Sequence, residues 1–466
     1  MKYILPILLS FCFKFSAAQP VSFEKYFGSP QLINYGHGIS QSASGSIYFG
    51  GYGDNQAGLY SLISFTKLDA SGNEIFTRYY GDSLRHFMLM RMISTLDGNF
   101  LLVGSRMDHG GQNNPYAIKV DSIGTIIWEH VNTSVPNSWY SGVAEFSNGN
   151  LVFSGATTDT INSDLNLSGV ITDPFGTILH QFSYGDVGIT ETSENCVVTS
   201  DGTILICGDK VINSSTVNPY IAVFDSTGSY LWDFLISSHH NSGSKNIYLD
   251  RNGSLLVIGE SATDSSPNFD ILLTKIDIPS ASMIWSKFIT GTNESDAGFA
   301  MSETIDGKYS ITGYGYDSLT SSKRIFLIVT DTAGTEMSKK YFGISPINIG
   351  YAICPSIYGG FLIAGADFTN DLEVLVYQKE LGINVDELMT RELKIYPNPM
   401  NEENTIYFSD AIEELNITDL SGRNILSEYF TPRRTNYVLP KLQNGVYIVN
   451  SILDKAVFRT LLIIPE

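Results

Sequence analysis

Seven glycine pairs recur along the chain, and in each pair the two glycines stand six residues apart around a short apolar segment. Successive first glycines are 53, 51, 53, 51, 54 and 52 residues apart. Such a regular period indicates copies of one small structural unit that must stack on its neighbours to bury a core. The pairs are Gly45/Gly51, Gly98/Gly104, Gly149/Gly155, Gly202/Gly208, Gly253/Gly259, Gly307/Gly313 and Gly359/Gly365.

A second marker follows the first six pairs. It is an aspartate, in five copies with a glycine three residues later, and then an apolar stretch that contains Trp128, Trp232 and Trp285 in three copies. The aspartates are 52, 52, 52, 52 and 54 residues apart. They are Asp69, Asp121, Asp173, Asp225, Asp277 and Asp331.

Each unit predicts four short strands, because glycine accepts positive φ in tight turns and aspartate hydrogen-bonds to its own turn backbone. A single four-stranded sheet of this size cannot bury both faces, whereas copies packed around an axis can. The sequence therefore predicts an all-β protein with a seven-bladed β-propeller over residues 19–383.

The two ends of this region predict how the ring closes. The seventh repeat lacks the aspartate turn and a clear fourth strand, and residues 22–28 (SFEKYFG) resemble residues 337–343 (MSKKYFG), the fourth strand of repeat six. We therefore expect the first strand of the chain to complete the last blade, which removes two exposed sheet edges.

The repeats resemble the blades of secreted bacterial propellers, including the quinoprotein-like group, as in the run DSTGSYLW from Asp225 to Trp232. Quinoprotein dehydrogenases carry two adjacent cysteines, and no two cysteines are adjacent in this sequence. The resemblance thus implies the fold but neither a quinone nor another cofactor.

The first eighteen residues predict a signal peptide with cleavage between Ala18 and Gln19. Lys2 precedes an apolar run, and the small residues Ser16-Ala17-Ala18 follow it. The alternative, a membrane anchor, needs a longer apolar run to cross the bilayer. Removing residues 1–18 leaves a net charge of −22, and such a surface repels nucleic acid.

Three cysteines follow residue 18, which is too few for a full disulfide framework. Cys196 and Cys207 stand symmetrically about the Asp201-Gly202 turn and could face each other across a hairpin. A cross-strand disulfide and two buried free thiols are both open alternatives.

Past Ile383 the repeat pattern ends. Residues 384–392 are polar and charged, as in a linker, and the remaining 393–466 predict a small β-sandwich of short strands. This segment contains YPNP, then DLSGR, then NGVY, in that order. The motif residues are Tyr396, Pro397, Asn398, Pro399, Asp419, Leu420, Ser421, Gly422, Arg423, Asn444, Gly445 and Tyr447.

This motif order resembles the type A C-terminal sorting domain of the type IX secretion system of Bacteroidota. The resemblance implies export through the periplasm and outer membrane, with the secretion machinery as partner. In that family the domain is usually cleaved, and the cargo is anchored to lipopolysaccharide or released. It implies a secreted or cell-surface protein.

No catalytic motif stands out, so we predict no catalytic, metal or cofactor-binding residue. The seven histidines show no metal-ligand spacing, although acidic loops could bind Ca²⁺ through oxygen ligands. Any ligand should meet the face that carries the loops of varied sequence. These loops include residues 54–56, 108–109, 113–114, 159–164, 213–218, 264–268, 316–317, 323–324 and 367–371, with His86, Trp139, Tyr140, His239, His240 and Glu294 between repeats.

Two hypotheses about function remain open. One is a non-catalytic module whose propeller binds a glycan or a protein. The other is a secreted polysaccharide hydrolase or lyase, which needs two carboxylates near the ring axis.

Overall fold

The computed structural model describes residues 22–28, 32–133, 137–159, 161, 164–213, 216–236, 242–262, 268–289, 295–304, 307–379, 395–396, 404–419, 424–442, 445–453 and 456–464. Within these ranges the regular structure consists of β-strands, with no helix. In the same ranges, no helix meets the length and hydropathy needed to cross a membrane. The predicted signal peptide and the 384–392 linker lie outside the described residues.

The described residues before the linker form twenty-nine strands. They are β1 (Phe23–Phe27), β2 (Leu32–Gln41), β3 (Ile47–Asn55), β4 (Ser61–Leu68), β5 (Glu74–Tyr80), β6 (His86–Ser94), β7 (Phe100–Met107), β8 (Asn113–Val120), β9 (Ile126–Val131), β10 (Ser138–Glu145), β11 (Leu151–Thr158), β12 (Leu165–Thr172), β13 (Ile178–Tyr184), β14 (Thr190–Glu191), β15 (Asn195–Val198), β16 (Ile204–Asn213), β17 (Thr216–Phe224), β18 (Tyr230–Leu235), β19 (Ser242–Leu249), β20 (Leu255–Ala262), β21 (Phe269–Asp277), β22 (Ser282–Ile289), β23 (Ala297–Glu303), β24 (Tyr309–Asp317), β25 (Ser322–Thr330), β26 (Glu336–Phe342), β27 (Asn348–Pro355), β28 (Phe361–Asp367) and β29 (Leu372–Gln378).

The strands follow the predicted repeat. Repeats one to six each form a run of four antiparallel strands in chain order, with the first strand of repeat four divided into β14 and β15. The last repeat forms a run of three, β27 to β29. A single parallel pair, Ser61 with His86, joins the runs of repeats one and two into one eight-stranded sheet. Because two runs share a sheet here, the count of seven separate blades stays a prediction.

The first strand of the chain closes the ring, as predicted. β1 pairs antiparallel with β29, with Phe23 opposite Tyr377 and Phe27 opposite Glu373. The carboxylate of Glu24 accepts a hydrogen bond from the Gly343 backbone N–H at 3.0 Å. β2 of repeat one also packs against β27 and β28 of the last repeat. The two ends of the repeat array are thereby joined.

The two glycines of each pair serve different purposes. The first lies in the hairpin turn with φ between +79° and +90°, where a side chain would be strained. The second lies in the second strand of its repeat, where a Cβ atom would come within 1.8 to 2.3 Å of a carbonyl oxygen of the innermost strand. That strand therefore approaches more closely than any side chain would allow.

The aspartate turns also serve the fold. In repeat four, Asp225 Oδ1 accepts hydrogen bonds from the backbone N–H groups of Thr227 and Ser229 at 2.8 and 2.9 Å. Hydrogen bonds from the Thr227 hydroxyl and the Ser229 N–H lower the pKa of Asp225. An aromatic ring of the preceding repeat packs against the turn glycine, as Trp128 packs against Gly176. These turns thus link neighbouring repeats.

Cys196 and Cys207 do not face each other, so the suggested cross-strand disulfide is wrong. The register pairs Cys196 with Ile206 and Asn195 with Cys207, and both thiols are free and buried. The turn holds three residues between the paired Thr199 and Thr203, which moves the register by one. The two side chains consequently lie in separate cores.

The described residues of the C-terminal segment form five strands. They are β30 (Ile395–Tyr396), β31 (Thr405–Asp419), β32 (Asn424–Val438), β33 (Gly445–Leu453) and β34 (Ala456–Ile464). Their pairing joins all five in one sheet, in which β31 pairs with both β32 and β33. These strands surround a core that includes Ile406, Leu415 and Val449, and the segment is all-β, as predicted.

Candidate functional site

The innermost strand of each repeat contains a β-bulge, in which one residue is left out of the pairing with the second strand. In β2, for example, the register shifts between Gly36 and Gly38, which leaves His37 as an extra residue opposite β3. In repeat four, Glu194 stands at the equivalent point, between β14 and β15. We call the seven residues the axial ring: His37, Met90, Ser141, Glu194, Lys245, Phe299 and Tyr351.

Every member of the axial ring stands eight residues before the first glycine of its repeat. The seven residues differ in size, charge and polarity, although the glycines around them repeat without change. The carbonyl that crowds each second glycine belongs to the residue two positions before the ring member. The second glycine therefore lies opposite the bulge, on the neighbouring strand.

Repeats six, seven and one contribute an aromatic half to the site. His37 stacks on Tyr351 with ring centroids 4.3 Å apart, and Phe299 meets Tyr351 edge-on at 5.3 Å. Tyr52 lies 5.4 Å from His37, and Tyr35 lies 4.9 Å from Tyr52. These rings form a continuous, half-buried aromatic surface beside the axis.

Repeats four and five contribute an ionic half. Lys245 Nζ lies 3.2 Å from Glu260 Oε1. The Ser244 backbone N–H donates to Asp209 Oδ1 at 2.8 Å. Glu194 interacts electrostatically with both Lys245 and Asp209. Three carboxylates and one ammonium group therefore gather on one side of the axis.

Arg91, which follows the ring member Met90 in sequence, spans the axis. Its Nη2 atom donates to the Lys245 carbonyl oxygen at 2.8 Å. Arg91 belongs to repeat two and Lys245 to repeat five, so the guanidinium group reaches across the centre. A cavity of about 190 Å³ lies beside it, lined by innermost strands of all seven repeats, including Ile39, Asn246 and Met301.

Burial perturbs the titratable groups of the site. It raises the pKa of Glu194 to about 7, opposed by Lys245 and reinforced by Asp209. Burial also raises the pKa of Asp209 to about 6, opposed by the hydrogen bond from Ser244. Burial, and then Arg91, lowers the pKa of His37 to about 3. The ionic half therefore holds two acids with raised pKa values, and the aromatic half holds an imidazole whose pKa is lowered.

Several residues of the variable loops are engaged in ion pairs. Asp108 Oδ1 lies 3.2 Å from Arg85 Nε and 3.1 Å from Arg106 Nε. Asp317 Oδ2 lies 3.0 Å from Arg324 Nη1. These contacts hold the loops in place and give them a structural role.

Other predicted loop residues are outside the described ranges, namely His239, His240, Glu294 and residues 264–267. Within the described part of the chain, no group of three His, Cys, Asp or Glu residues could hold a metal ion.

The predicted sorting motif is described in part. Tyr396 ends the short strand β30, Gly445 begins β33, and Tyr447 is buried in the core of the C-terminal sheet. Asp419 ends β31. The remaining motif residues lie outside the described ranges: Pro397, Asn398, Pro399, Leu420, Ser421, Gly422, Arg423 and Asn444.

Comparison with known families assigns the C-terminal segment. Residues 394–464 match the family described as secretion system C-terminal sorting domain. The chain carries a type IX sorting domain. The match confirms the predicted family and differs by one or two residues from the predicted limits of 393 and 466. The sorting domain implies export to the cell surface or beyond.

Solved structures resemble a large part of this chain. Virginiamycin B lyase from Staphylococcus aureus is 14% identical, with a TM-score of 0.50 over 77% of this chain and 100% of that chain. Sqt1 from Chaetomium thermophilum is 12% identical over 76% and 97%, with a TM-score of 0.45. YCF48 from Cyanidioschyzon merolae is 10% identical over 76% and 98%, also with a TM-score of 0.45.

These neighbours are β-propeller proteins. At 14% identity, the likeness to virginiamycin B lyase shows the fold alone. No curated protein shows significant similarity to the chain.

Sequence reasoning did not find the axial ring. Its members differ from repeat to repeat, whereas a search for repeats selects what stays the same. The constant distance of eight residues to the first glycine is the signal that would have located them.

Proposed function

We propose that the propeller binds a carbohydrate in the axial ring after export by the type IX route. One observation carries the proposal: the seven bulge positions near the axis carry a different residue in every repeat. Residues shared by all repeats build the fold, so a ligand should meet the positions that break the repeat.

The two halves of the site suit a sugar. Sugar rings offer C–H faces that pack on aromatic surfaces, such as the one formed by Tyr351 and Phe299. Their hydroxyl groups donate hydrogen bonds to carboxylates such as Asp209 and Glu260. An apolar wall opposite a few placed polar groups is the usual composition of a small-molecule site.

A second candidate function is hydrolysis of a glycosidic bond. Glu194 and Asp209 are two interacting carboxyl groups with raised pKa values near the axis. A protonated and an ionised carboxyl group can act together as general acid and base. Glu194, with the higher pKa, would be the acid in such a reaction.

A glycan array set beside a reducing-sugar release assay on the mature chain tests both proposals. Binding without release supports the carbohydrate-binding module. Release that disappears in Glu194→Gln supports the hydrolase and removes the binding-only function. An array without any bound glycan would contradict both.

Attachment to the cell is also a proposal. The sorting domain implies contact with the type IX machinery. We propose that this domain is removed after export and that the propeller is then anchored to lipopolysaccharide or released. Calcium binding by the acidic loops remains a proposal of the same kind, which metal titration of the chelator-treated protein would test.

A further inference from the structure

A second pocket lies away from the axis, between repeats two and three. Its volume is about 300 Å³, at the lower end of the range for small-molecule sites. It is lined by side chains from both repeats, among them Asn132, Tyr140, Thr157, Ser168 and Gln181. None of its lining residues is charged, so the pocket is distinct in chemistry from the axial ring.

The pocket arises where repeat three departs from the others. Ser168 lies opposite Gly155, the second glycine of its repeat. The residues opposite the other second glycines are Ser64, Tyr116, Tyr220, Leu272, Phe326 and Val374. Five of these are large, so repeat three lacks the side chain that would otherwise occupy this crevice.

Repeat one has a serine at the same position, and there the space is filled in another way. Glu373 of the last repeat is buried against repeat one, and its Oε1 atom accepts a hydrogen bond from the Ser64 hydroxyl at 2.8 Å. The residue of repeat two that corresponds to Glu373 is Pro115. Proline cannot reach or hydrogen-bond across the crevice, which leaves the pocket open in front of Ser168.

Two buried polar atoms point to a ligand. Tyr140 is 3% exposed and lines the pocket. Its hydroxyl has no hydrogen-bond partner of standard geometry within the described structure, and neither does Thr157 Oγ1. Burial raises the pKa of Tyr140, and a hydrogen-bonding contact with the Asn132 side chain opposes that rise. A buried hydroxyl without a partner of standard geometry is costly unless a ligand satisfies it.

We propose that the pocket between repeats two and three binds one neutral saccharide ring. Hydroxyl and amide side chains line it and would exchange hydrogen bonds with sugar hydroxyls, while Val170 and Phe182 offer apolar contact. A charged ligand would lose its hydration there without gaining a counter-ion. This site stands independently of the axial ring.

Isothermal titration of the mature chain with methyl glucoside, methyl galactoside and methyl mannoside tests the proposal, with methyl glucuronide as the anionic comparison. We expect at least one neutral glycoside to bind, and the glucuronide to bind at least tenfold more weakly. Ser168→Leu, which introduces the residue that repeat five carries at this position, should abolish binding. Tyr140→Phe should weaken it about three- to tenfold, as expected for one hydrogen bond.

Controls separate loss of the pocket from loss of the fold. Ser338→Leu makes the same chemical change on an exposed strand of repeat six and should bind as the parent does. Tyr140→Phe should keep a melting temperature close to that of the parent, because it retains the ring that packs on Phe153. Absence of binding by every neutral glycoside, equal binding of the glucuronide, or unchanged binding in Ser168→Leu would each overturn the proposal.

An axial variant distinguishes this pocket from the proposed function. Tyr351→Ala should leave methyl glycoside binding between repeats two and three intact. Failure of the pocket would therefore leave the axial proposal standing, and the reverse also holds.

Discussion

The second glycine of each pair has no Cβ atom, and its absence allows the innermost strand to bulge. The bulge in turn presents the axial residue. The sequence predicted a tight turn at the first glycine, and the structure agrees, because Gly98 has a φ of +79°. It did not predict the role of the second, because close approach between strands leaves no local signature. Both roles are open to measurement.

Gly104→Ala should destabilise the protein more than Gly98→Ala. A Cβ atom at Gly104 would lie 1.9 Å from the Met88 carbonyl oxygen, a contact that only backbone movement can relieve. A Cβ atom at Gly98 meets nothing within 4 Å, so only the strain of positive φ remains, about 1 kcal/mol. Urea unfolding should show a loss of about 2–4 kcal/mol for Gly104→Ala. Equal losses in the two variants would contradict the close-approach explanation.

Glu373→Gln should stabilise the protein at pH 8 and have little effect at pH 4. Burial raises the pKa of Glu373 to about 7, opposed by the hydrogen bond from Ser64, whereas the unfolded chain titrates near 4.5. The folded state therefore holds a proton that the unfolded state loses, and stability falls as pH rises from about 4.5 to 7. Glutamine keeps an acceptor for Ser64 and removes this penalty, roughly 1–3 kcal/mol.

Urea unfolding at both pH values measures this difference. Glu336→Gln, at an exposed position on β26, is the control and should match the parent at each pH. If the Glu373→Gln variant had the same stability as the parent at pH 8, the ionised carboxyl group would cost no stability, which contradicts the prediction.

Among the elements, β1 shows how far repeat comparison reaches. The likeness of residues 22–28 to 337–343 placed β1 on the last repeat correctly. The hairpin register at Cys196 was off by one, since the turn type depends on backbone geometry that Asp-Gly alone does not specify. Repeat patterns thus predict which strands pair more reliably than which residues pair.

Removing residues 19–28 should lower the free energy of unfolding by several kcal/mol. The deletion exposes the edge of β29 and removes the packing of Phe23 on Tyr377, whose rings lie 5.5 Å apart. Lys25→Ala keeps the backbone pairing and should cost less than about 0.5 kcal/mol. Thermal and urea unfolding compare the two, and an unchanged melting temperature in the deletion would exclude closure by β1.

Reducing agent should leave the melting temperature of the mature chain unchanged, because Cys196, Cys207 and Cys354 are free thiols. Thiol titration in denaturant should find three reactive groups per chain with or without prior reduction. Fewer reactive groups before reduction would reveal a disulfide and contradict the register of β15 and β16.

For the whole molecule, the sequence predicted the two-part organisation well. Periodicity indicated the propeller, and motif order indicated the sorting domain, because both rest on features repeated or ordered along the chain. The axial ring depends on contacts between repeats far apart in sequence, and the pocket at Ser168 depends on contacts between two consecutive repeats. Those contacts follow from the closed ring and could not be read from any single repeat.

Deleting residues 394–464 should keep the protein out of the medium and off the cell surface in a host with type IX secretion. The sorting domain is the part that the export machinery recognises. Cell fractionation and immunoblotting should find the shortened protein inside the outer membrane, with the full chain outside. Equal amounts of both forms outside would show that the tail is dispensable for export.

The central claim is that the axial ring is the ligand site of the exported propeller. Titration of the strongest glycan from the array against the mature chain, Tyr351→Ala and the exposed control Ser338→Leu tests it most directly. We predict at least a tenfold loss of affinity in Tyr351→Ala, since its ring contacts both His37 and Phe299, and no change in the control. Equal affinity in all three proteins would place the ligand elsewhere and contradict the account.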